Sequence, residues 1–473
     1  MTTQIAYLTT TELTALYQSG ELSPVEATRA TLDRLAEVNP KINAFNVVMD
    51  DSALAAAKAS EKRWRTGSPI GPLDGVPVSI KDNIPVAGFP CRNGSLTTSD
   101  TPVTEDAPPV TRLKEAGAVL FGKTTLPDYA HKGVTDSPLT GITRNPWNLD
   151  VTPGGSSGGA SAALAAGVGP LAVGSDGGGS IRIPCSFTGL AGIKPTYGRV
   201  AAFQGGPFIG MSHKGPMART VRDAGLLLNV LAAPDPRDGT SYPSATAAYD
   251  DSLDISSLKG LRIAFTADFG TDHIDPEVRA LVAATADVFQ GLGAEVTEAF
   301  PDLTGGPEAF GVIWNTGIAK VVEQTPADKR DLFDKPIKAM AAKGREVTGV
   351  EYLLAMHYRD SFSERLGRFH QDYDLLITPT LPCTAFEVGH EVPPDWKEKR
   401  WMTWSPFCYP FNFTQQPAAS VPCGLSNGLP VGLQIVGRRH EDALVLRAAA
   451  AYENAAGGFN ELSDRGSRLN LAG

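Results

Sequence analysis

Three short segments combine small residues, hydroxyls and a lysine in forms that a hydrophobic core does not require. They are Gly71-Pro-Leu-Asp-Gly-Val-Pro-Val-Ser-Ile-Lys81-Asp82, Pro153-Gly-Gly-Ser156-Ser157-Gly-Gly159, and Gly174-Ser175-Asp176-Gly177-Gly178-Gly179-Ser180-Ile-Arg182-Ile-Pro184. A serine hydroxyl is a poor nucleophile until a base takes its proton. None of the seven histidines has a sequence context suited to that task. Lysine can be the base only as the neutral amine, which burial favours, and Lys81 closes a Pro-Val-Ser-Ile run that reads as a buried strand. A run of glycines can turn successive N–H groups onto one oxygen, as acyl transfer requires. Each segment also has a plainer reading: a lysine at a strand end, serines capping a helix over 160–166, and a glycine turn.

Two motif matches fail on context. Gly117-Ala-Val-Leu-Phe-Gly122-Lys123-Thr124 satisfies the phosphate-loop pattern, but its four intervening residues read as a strand and Pro127 interrupts any following helix. Gly155-Ser156-Ser157-Gly158-Gly159 satisfies the pattern of a nucleophile elbow, yet it follows a turn-like stretch over 148–153 and not a hydrophobic strand. No nucleotide and no histidine-based triad is expected from them.

The elements that must carry these segments are those of a globular protein of 473 residues, 42% hydrophobic and 20% charged. Lysine and arginine number 42 against 52 acids, a net charge of −10 with no dense basic run, which argues against nucleic acid as a partner. The nearly apolar stretch 160–174 is too short to cross a membrane, and no signal peptide is readable, so a cytoplasmic location is expected. Five scattered cysteines form no C-x-x-C pair and the histidines lack ligand spacing, so neither a disulfide framework nor a metal site is expected. Thirteen of the 49 glycines fall in 154–198, interrupted by apolar stretches that themselves need burial, which marks a folded loop system and not a linker.

Helices are expected over the first 65 residues, with capping-box starts at Thr9-Thr-Thr-Glu12 and Ser23-Pro-Val-Glu26 and a third helix over 53–64. Strand-like runs at 76–80, 118–121, 171–173, 261–265, 375–378, 418–421 and 431–436 alternate with helical stretches. The stretch 275–292 places Val278, Leu281, Val282, Val288, Phe289 and Leu292 on one helical face, with Thr285 as its polar exception. This alternation predicts an α/β layered fold with a largely buried sheet. Residues 234–256 are the one plausible linker; a single domain spanning 1–473, with a core at about 65–210 and an internal helical section at about 305–370 that could cover a pocket, is the expected organisation.

In the three segments above, the chain resembles the amidase signature family of serine hydrolases. The likeness runs from about residue 8 to residue 456 and includes Tyr373-Asp-Leu-Leu-Ile-Thr-Pro-Thr380 and Gly428-Leu-Pro-Val-Gly-Leu-Gln-Ile-Val-Gly437. The resemblance implies a large twisted mixed β-sheet flanked by helices on both faces, and a Ser–cisSer–Lys triad. Residue by residue, Lys81 matches the catalytic lysine, Ser156 the bridging serine that follows a cis peptide bond, and Ser180 the acylated nucleophile. It also implies an oxyanion hole from the N–H groups of Gly177, Gly178 and Gly179, with Ser180 as a further donor, and supporting roles for Ser157 and Asp176. Gly177 stands where the family often has threonine or isoleucine, which leaves the loop less restrained.

The substrate is expected to be a small uncharged aryl or alkyl amide, with carbamates or esters open to the same acyl-enzyme chemistry. Residues 396–413 hold seven aromatics in eighteen positions, which suggests either a core knot or an aromatic-lined entrance. Tyr129, Ala130, His131, Trp404 and Phe407 are the candidate substrate-binding residues. The alternative is the A-type subunit of a glutamyl-tRNA(Gln) amidotransferase; a scaffold with a dead site is the third reading, and the presence of every triad residue opposes it. No cofactor, metal, nucleic acid or membrane partner is expected, and a homodimer is the assembly left open. Full turnover should therefore survive exhaustive chelation and desalting; activity lost to a chelator and restored by zinc would refute this.

Overall fold

The computed structural model describes residues 5–203, 206–243, 249, 253, 255–271, 273–398 and 400–456. Most of the 234–256 stretch beyond residue 243 lies outside the described residues, as do the chain ends. Local sequence rules account for the entry helices. Thr9 and Glu12 exchange side-chain and backbone hydrogen bonds at the start of Thr10–Ser19, and Ser23 and Glu26 do the same ahead of Pro24–Ile42, satisfying otherwise orphaned donors. The third predicted helix spans Asp50–Arg65. The helical section is also present, as Gly306–Gln324, Lys335–Glu346 and Gly349–Asp372.

Among the described residues there are thirteen strands: β1 Phe45–Val48, β2 Pro77–Lys81, β3 Val119–Thr124, β4 Asp136–Ser137, β5 Gly141–Ile142, β6 Leu171–Asp176, β7 Ala191–Lys194, β8 His213–Ala218, β9 Arg262–Phe265, β10 Glu295–Glu298, β11 Leu375–Pro379, β12 Ala418–Ser426 and β13 Leu429–Gly437. Eleven of them form one mixed sheet in the order β1-β3-β2-β6-β8-β7-β12-β13-β11-β9-β10. Its centre joins the parallel trio β3-β2-β6 to the antiparallel strand β8. Alternating side chains feed two cores. Leu375 and Ile377 enter one and Leu376 the other; Ala419 and Ile435 enter one, Ala418 and Val436 the other. Helices Val221–Leu231, Pro276–Gly291 and Asp442–Ala456 pack over the first, while Pro24–Ile42, Gly158–Ala165 and Arg182–Thr188 lie on the opposite face. Thr285, the polar exception on its helix face, is buried and its hydroxyl donates to the Val282 carbonyl at 2.7 Å.

Within the large sheet the sequence patterns miss β1, β7, β8 and β10, and they also miss the short pair β4 and β5. β8 is His-Lys-Gly-Pro-Met-Ala, which carries a proline and a glycine yet pairs along its full length with β6; strand propensity yields here to burial between neighbours. β10 is a largely exposed edge strand without an apolar face. No helix among the described residues is long and apolar enough to cross a membrane.

In β2 the alternation turns Val78 and Ile80 into the first core and sends Lys81 to the other face, toward the helix Gly158–Ala165. β2 and β6 run parallel, so Lys81 and the Ser175-Asp176 end of β6 reach the same edge of the sheet. The phosphate-loop match resolves as strand β3, where Lys123 and Asp82 form a 2.6 Å ion pair with both side chains fully buried. Lys123→Ala should leave the Asp82 carboxylate buried without its counter-charge and lower stability by about 3–5 kcal/mol in urea unfolding. ATP should not shift the unfolding midpoint of the unaltered protein.

Candidate active site

Lys81 ends β2 with no solvent exposure. Its Nζ donates to Ser156 Oγ at 2.7 Å, to Ser157 Oγ at 2.9 Å and to the Ser175 carbonyl at 3.4 Å. No carboxylate pairs with this amine among the described residues. Burial pushes it well below the ordinary lysine range, the charge on Lys214 adds to the effect, and Asp176 opposes it. The neutral amine, which can accept a proton, is therefore favoured.

Ser156 and Ser157 hang from a loop with little freedom. The Gly155–Ser156 peptide bond is cis. A Cβ on Gly155 would lie 2.6 Å from the Val134 carbonyl oxygen, so this position takes only glycine. Thr135 pins the loop from both sides: its hydroxyl donates to the Gly154 carbonyl at 2.8 Å and accepts from the Gly158 N–H at 3.1 Å. Ser157 occupies the cap position of Gly158–Ala165 but makes no side-chain cap. Its Oγ accepts from Lys81 and donates to the Ser175 carbonyl at 3.2 Å. The capping reading is thus corrected: the amine and the β6 backbone claim the hydroxyl first.

Ser180 lies at the other end of the glycine run, 7% exposed. Asp176 organises that run. Its carboxylate accepts from the Gly179 N–H at 2.7 Å, the Ile181 N–H at 3.2 Å, Asn412 Nδ2 at 2.8 Å, and both Nε and Nη2 of Arg182 at 3.0 Å. Burial alone would raise this carboxyl, but the charge and hydrogen bonds of Arg182, with Asn412, hold it far below the usual range. Arg182 is itself fully buried and also donates to Gln434 Oε1 at 2.7 Å and the Cys408 carbonyl at 2.9 Å. Gly179 adopts φ of +129°, with Cys408 Cβ 2.7 Å from where a Cβ would sit. Its N–H faces Asp176 and not the cavity, whereas among the described residues the N–H groups of Gly177, Gly178 and Ser180 donate to no protein acceptor. Of the three glycines expected as donors, Gly179 thus has its N–H engaged, while Gly177 and Gly178, with Ser180, keep theirs without a protein acceptor.

Ser156, Ser175, Gly177 and Ser180 line one cavity of about 360 Å³. Tyr129 and Ala130 line it too, both with positive φ (47° and 58°). Their neighbour His131 points away: its ring is buried, with Nδ1 2.6 Å from the Asp128 carbonyl. Burial first, then the charge on Lys132, pushes it down to about 3, so it is neutral, and it does not line the cavity. Trp404 and Phe407 are core residues, not lining ones. Trp404 stacks on Phe187 at 5.9 Å and donates to the Glu391 carbonyl, while Phe407 stacks on Phe269 at 5.1 Å. The aromatic stretch is thus mainly the knot behind the site, with Trp401 wedged against Gly178. The aromatic wall comes instead from Phe203 and Phe208, and Phe208 stacks on Trp314. Val321, Gln324 and Thr325 of the helical section are among the other lining residues, as are Asn83, Cys91 and Lys214. Sequence reasoning missed Phe203, Phe208, Lys214, Arg182 and Thr135; only Arg182, inside the Gly-Ser segment, carried a signal.

Residues 26–446 match the protein-family model Amidase. The chain is 39% identical over 458 residues to an acylamidase of Rhodococcus erythropolis, covering 94% of this chain and 95% of the relative. It is 36% identical over 479 residues to the A-type subunit of the glutamyl-tRNA(Gln) amidotransferase of Chloroflexus aggregans, covering 95% and 97%. The crystal structure of a bacterial aryl acylamidase belonging to the amidase signature enzymes superposes with a TM-score of 0.90 at 30% identity, covering 98% of each chain.

Asp176→Asn should leave Arg182 as an uncompensated buried charge and lower stability by about 3–5 kcal/mol. The double variant Asp176→Asn/Arg182→Met should recover much of that loss, because neither charge remains. Equal stability of Asp176→Asn and the unaltered protein in denaturant unfolding would refute the account.

Proposed function

The chain belongs to the amidase signature family, hydrolases that act on amide C–N bonds, and from that premise we propose that it is a stand-alone amidase cleaving small aryl or alkyl amides through an acyl-enzyme on Ser180. The observation that carries the reading is the buried Lys81 amine, 2.7 Å from the Oγ of Ser156, which lines one cavity together with Ser180.

The neutral Lys81 amine takes the Ser156 proton as Ser156 takes the Ser180 proton, and Ser180 Oγ attacks the amide carbonyl carbon. The N–H groups of Gly177, Gly178 and Ser180 are the donors placed to meet the developing oxyanion. Collapse breaks the C–N bond, and the Lys81 ammonium returns its proton through Ser156 to the leaving amine. Water then repeats the sequence on the ester, releasing the acid. Among the described residues no hydrogen bond joins Ser156 Oγ to Ser180 Oγ; contacts of this kind commonly close only with substrate in place. Carbamates and esters fit the same steps. The wall formed by Val321, Gln324 and Thr325 supports a pocket-covering role for the 305–370 section.

A second reading, the ammonia-releasing amidotransferase subunit, is favoured by the 36% identity to one such protein. Glutamine presents an α-ammonium group, which calls for a carboxylate in the pocket, and among the described residues no aspartate or glutamate lines the cavity. Glutaminase activity appearing only with partner subunits would establish this reading over the first.

Ser180→Ala should abolish acyl-enzyme formation while leaving the fold intact, and trapping of a covalent adduct on another serine would overturn the assignment. Acylation should rise with pH as Lys81 loses its proton. Because burial lowers that amine, the plateau should be reached below the ordinary lysine range. Lys81→Ala should reduce acylation by at least about 10²–10⁴-fold, and Ser156→Ala by less, since water can partly replace the bridge. Lys81→Arg should not rescue, because guanidinium stays protonated; an active Lys81→Arg enzyme would remove Lys81 from the base role.

A further inference from the structure

Lys214 belongs to the cavity but not to the chemistry just described. It sits on β8 directly opposite Ser175 of β6 in the antiparallel register, and residues so paired project on the same face of a sheet. Ser175 and Lys214 accordingly both line the cavity that holds Ser180. Lys214 is part-buried, and among the described residues its side-chain amine makes neither an ion pair nor a hydrogen bond. No aspartate, glutamate or arginine lines this cavity among the described residues.

The charges that face Lys214 from neighbouring elements are already engaged or absent. Asp176, next on β6, is held by Arg182 at 3.0 Å, and Asp82, after β2, is held by Lys123 at 2.6 Å. Cys91, another lining residue, has its thiol pushed up by burial and is uncharged at neutral pH. Lys81, whose amine burial lowers well below the ordinary lysine range, does not line this cavity. Burial lowers the Lys214 amine only to about 8, so at neutral pH it stays mostly protonated. A single positive charge therefore stands in a wall otherwise built from neutral groups. An ammonium in such a site has lost part of its hydration without gaining a protein counter-ion, and a ligand anion there interacts more strongly than in bulk water.

We propose that Lys214 is a specificity-determining residue that receives a carboxylate carried by the acyl or the amine half of the amide substrate. The proposal rests on the amidase reading and narrows its aryl or alkyl amides to those that bear a carboxylate, in place of the uncharged amide expected from the sequence. A lysine suits this task as a point charge, tolerant of the angle at which the carboxylate arrives.

The test uses two isosteric pairs: the mono-4-nitroanilide of succinic acid against the 4-nitroanilide of 4-methylpentanoic acid, and 4-acetamidobenzoate against 4-isopropylacetanilide. The readout is the ratio of kcat/KM for the charged over the neutral member. This ratio cancels any effect that Lys214 exerts on Lys81, which both members share. At neutral pH it should exceed unity in at least one pair, fall by about tenfold in Lys214→Met through KM, and be largely retained in Lys214→Arg. Ratios below unity in both pairs, or ratios that Lys214→Met leaves within about threefold of the original, overturn the proposal. Calorimetric binding of the same compounds to Ser180→Ala, with and without Lys214→Met, gives a readout independent of turnover. Charge-dependent binding without hydrolysis of any compound would preserve the subsite and overturn the amidase reading; hydrolysis without charge preference would do the reverse.

Discussion

An amine removed from water with no carboxylate beside it is the constraint around which this site is arranged. Lys81 can act as a base only if its proton is easily lost, and the fold meets that condition by position. β2 is buried between β3 and β6, the strand alternation turns the amine away from the main core, and three oxygens receive it without any of them being a carboxylate. A carboxylate at that distance would favour the ammonium and work against the effect of burial.

The same constraint explains why the nearest acid is so heavily occupied. Asp176 lies on the neighbouring strand and its charge works against a neutral Lys81. Arg182, six residues along the chain, takes that charge up through two hydrogen bonds, while Asn412 and the Gly179 N–H occupy further lone pairs. This saturation also has a geometric result. By holding the N–H groups of Gly179 and Ile181, Asp176 shapes the turn that leaves the N–H groups of Gly177, Gly178 and Ser180 without a protein acceptor, and sets Ser180 at its end. One buried ion pair therefore serves the electrostatics of the lysine and the shape of the loop. Removing either partner alone disturbs both, which is the usual penalty of breaking such a pair.

Behind the loop, aromatic packing supplies rigidity. Trp401 fills the space beside Gly178 and packs on Trp314, which in turn stacks on Phe208 in the cavity wall. The density of aromatics over 396–413 thus supports the glycine loop from the back. The exposed lining is assembled from separate segments: residues 129–130, 203–208 and 321–325.

The residues proposed to perform chemistry were legible because they depend on local sequence. A lysine closing an apolar strand, two serines framed by glycine pairs, and a glycine run ending in serine are contiguous patterns, and their resemblance to a family is specific. Strand alternation and helix capping are local as well, which is why most central strands and the first helices fall where expected. What the sequence could not disclose depends on contacts between distant segments. Nothing in His-Lys-Gly-Pro-Met-Ala announces a central strand; it becomes one because β6 and β7 bury it on both edges. Trp404 and Phe407 were indistinguishable in sequence from cavity-lining aromatics, and only packing against Phe187 and Phe269 assigns them to the core. Lys214 was one lysine among many until the register with Ser175 set it in the cavity. The sequence by itself determined which groups could react, since reactivity resides in residue type and near neighbours. The tertiary structure alone decided which charges stand unpaired and which surfaces face the substrate, because burial and pairing are properties of space and not of the chain.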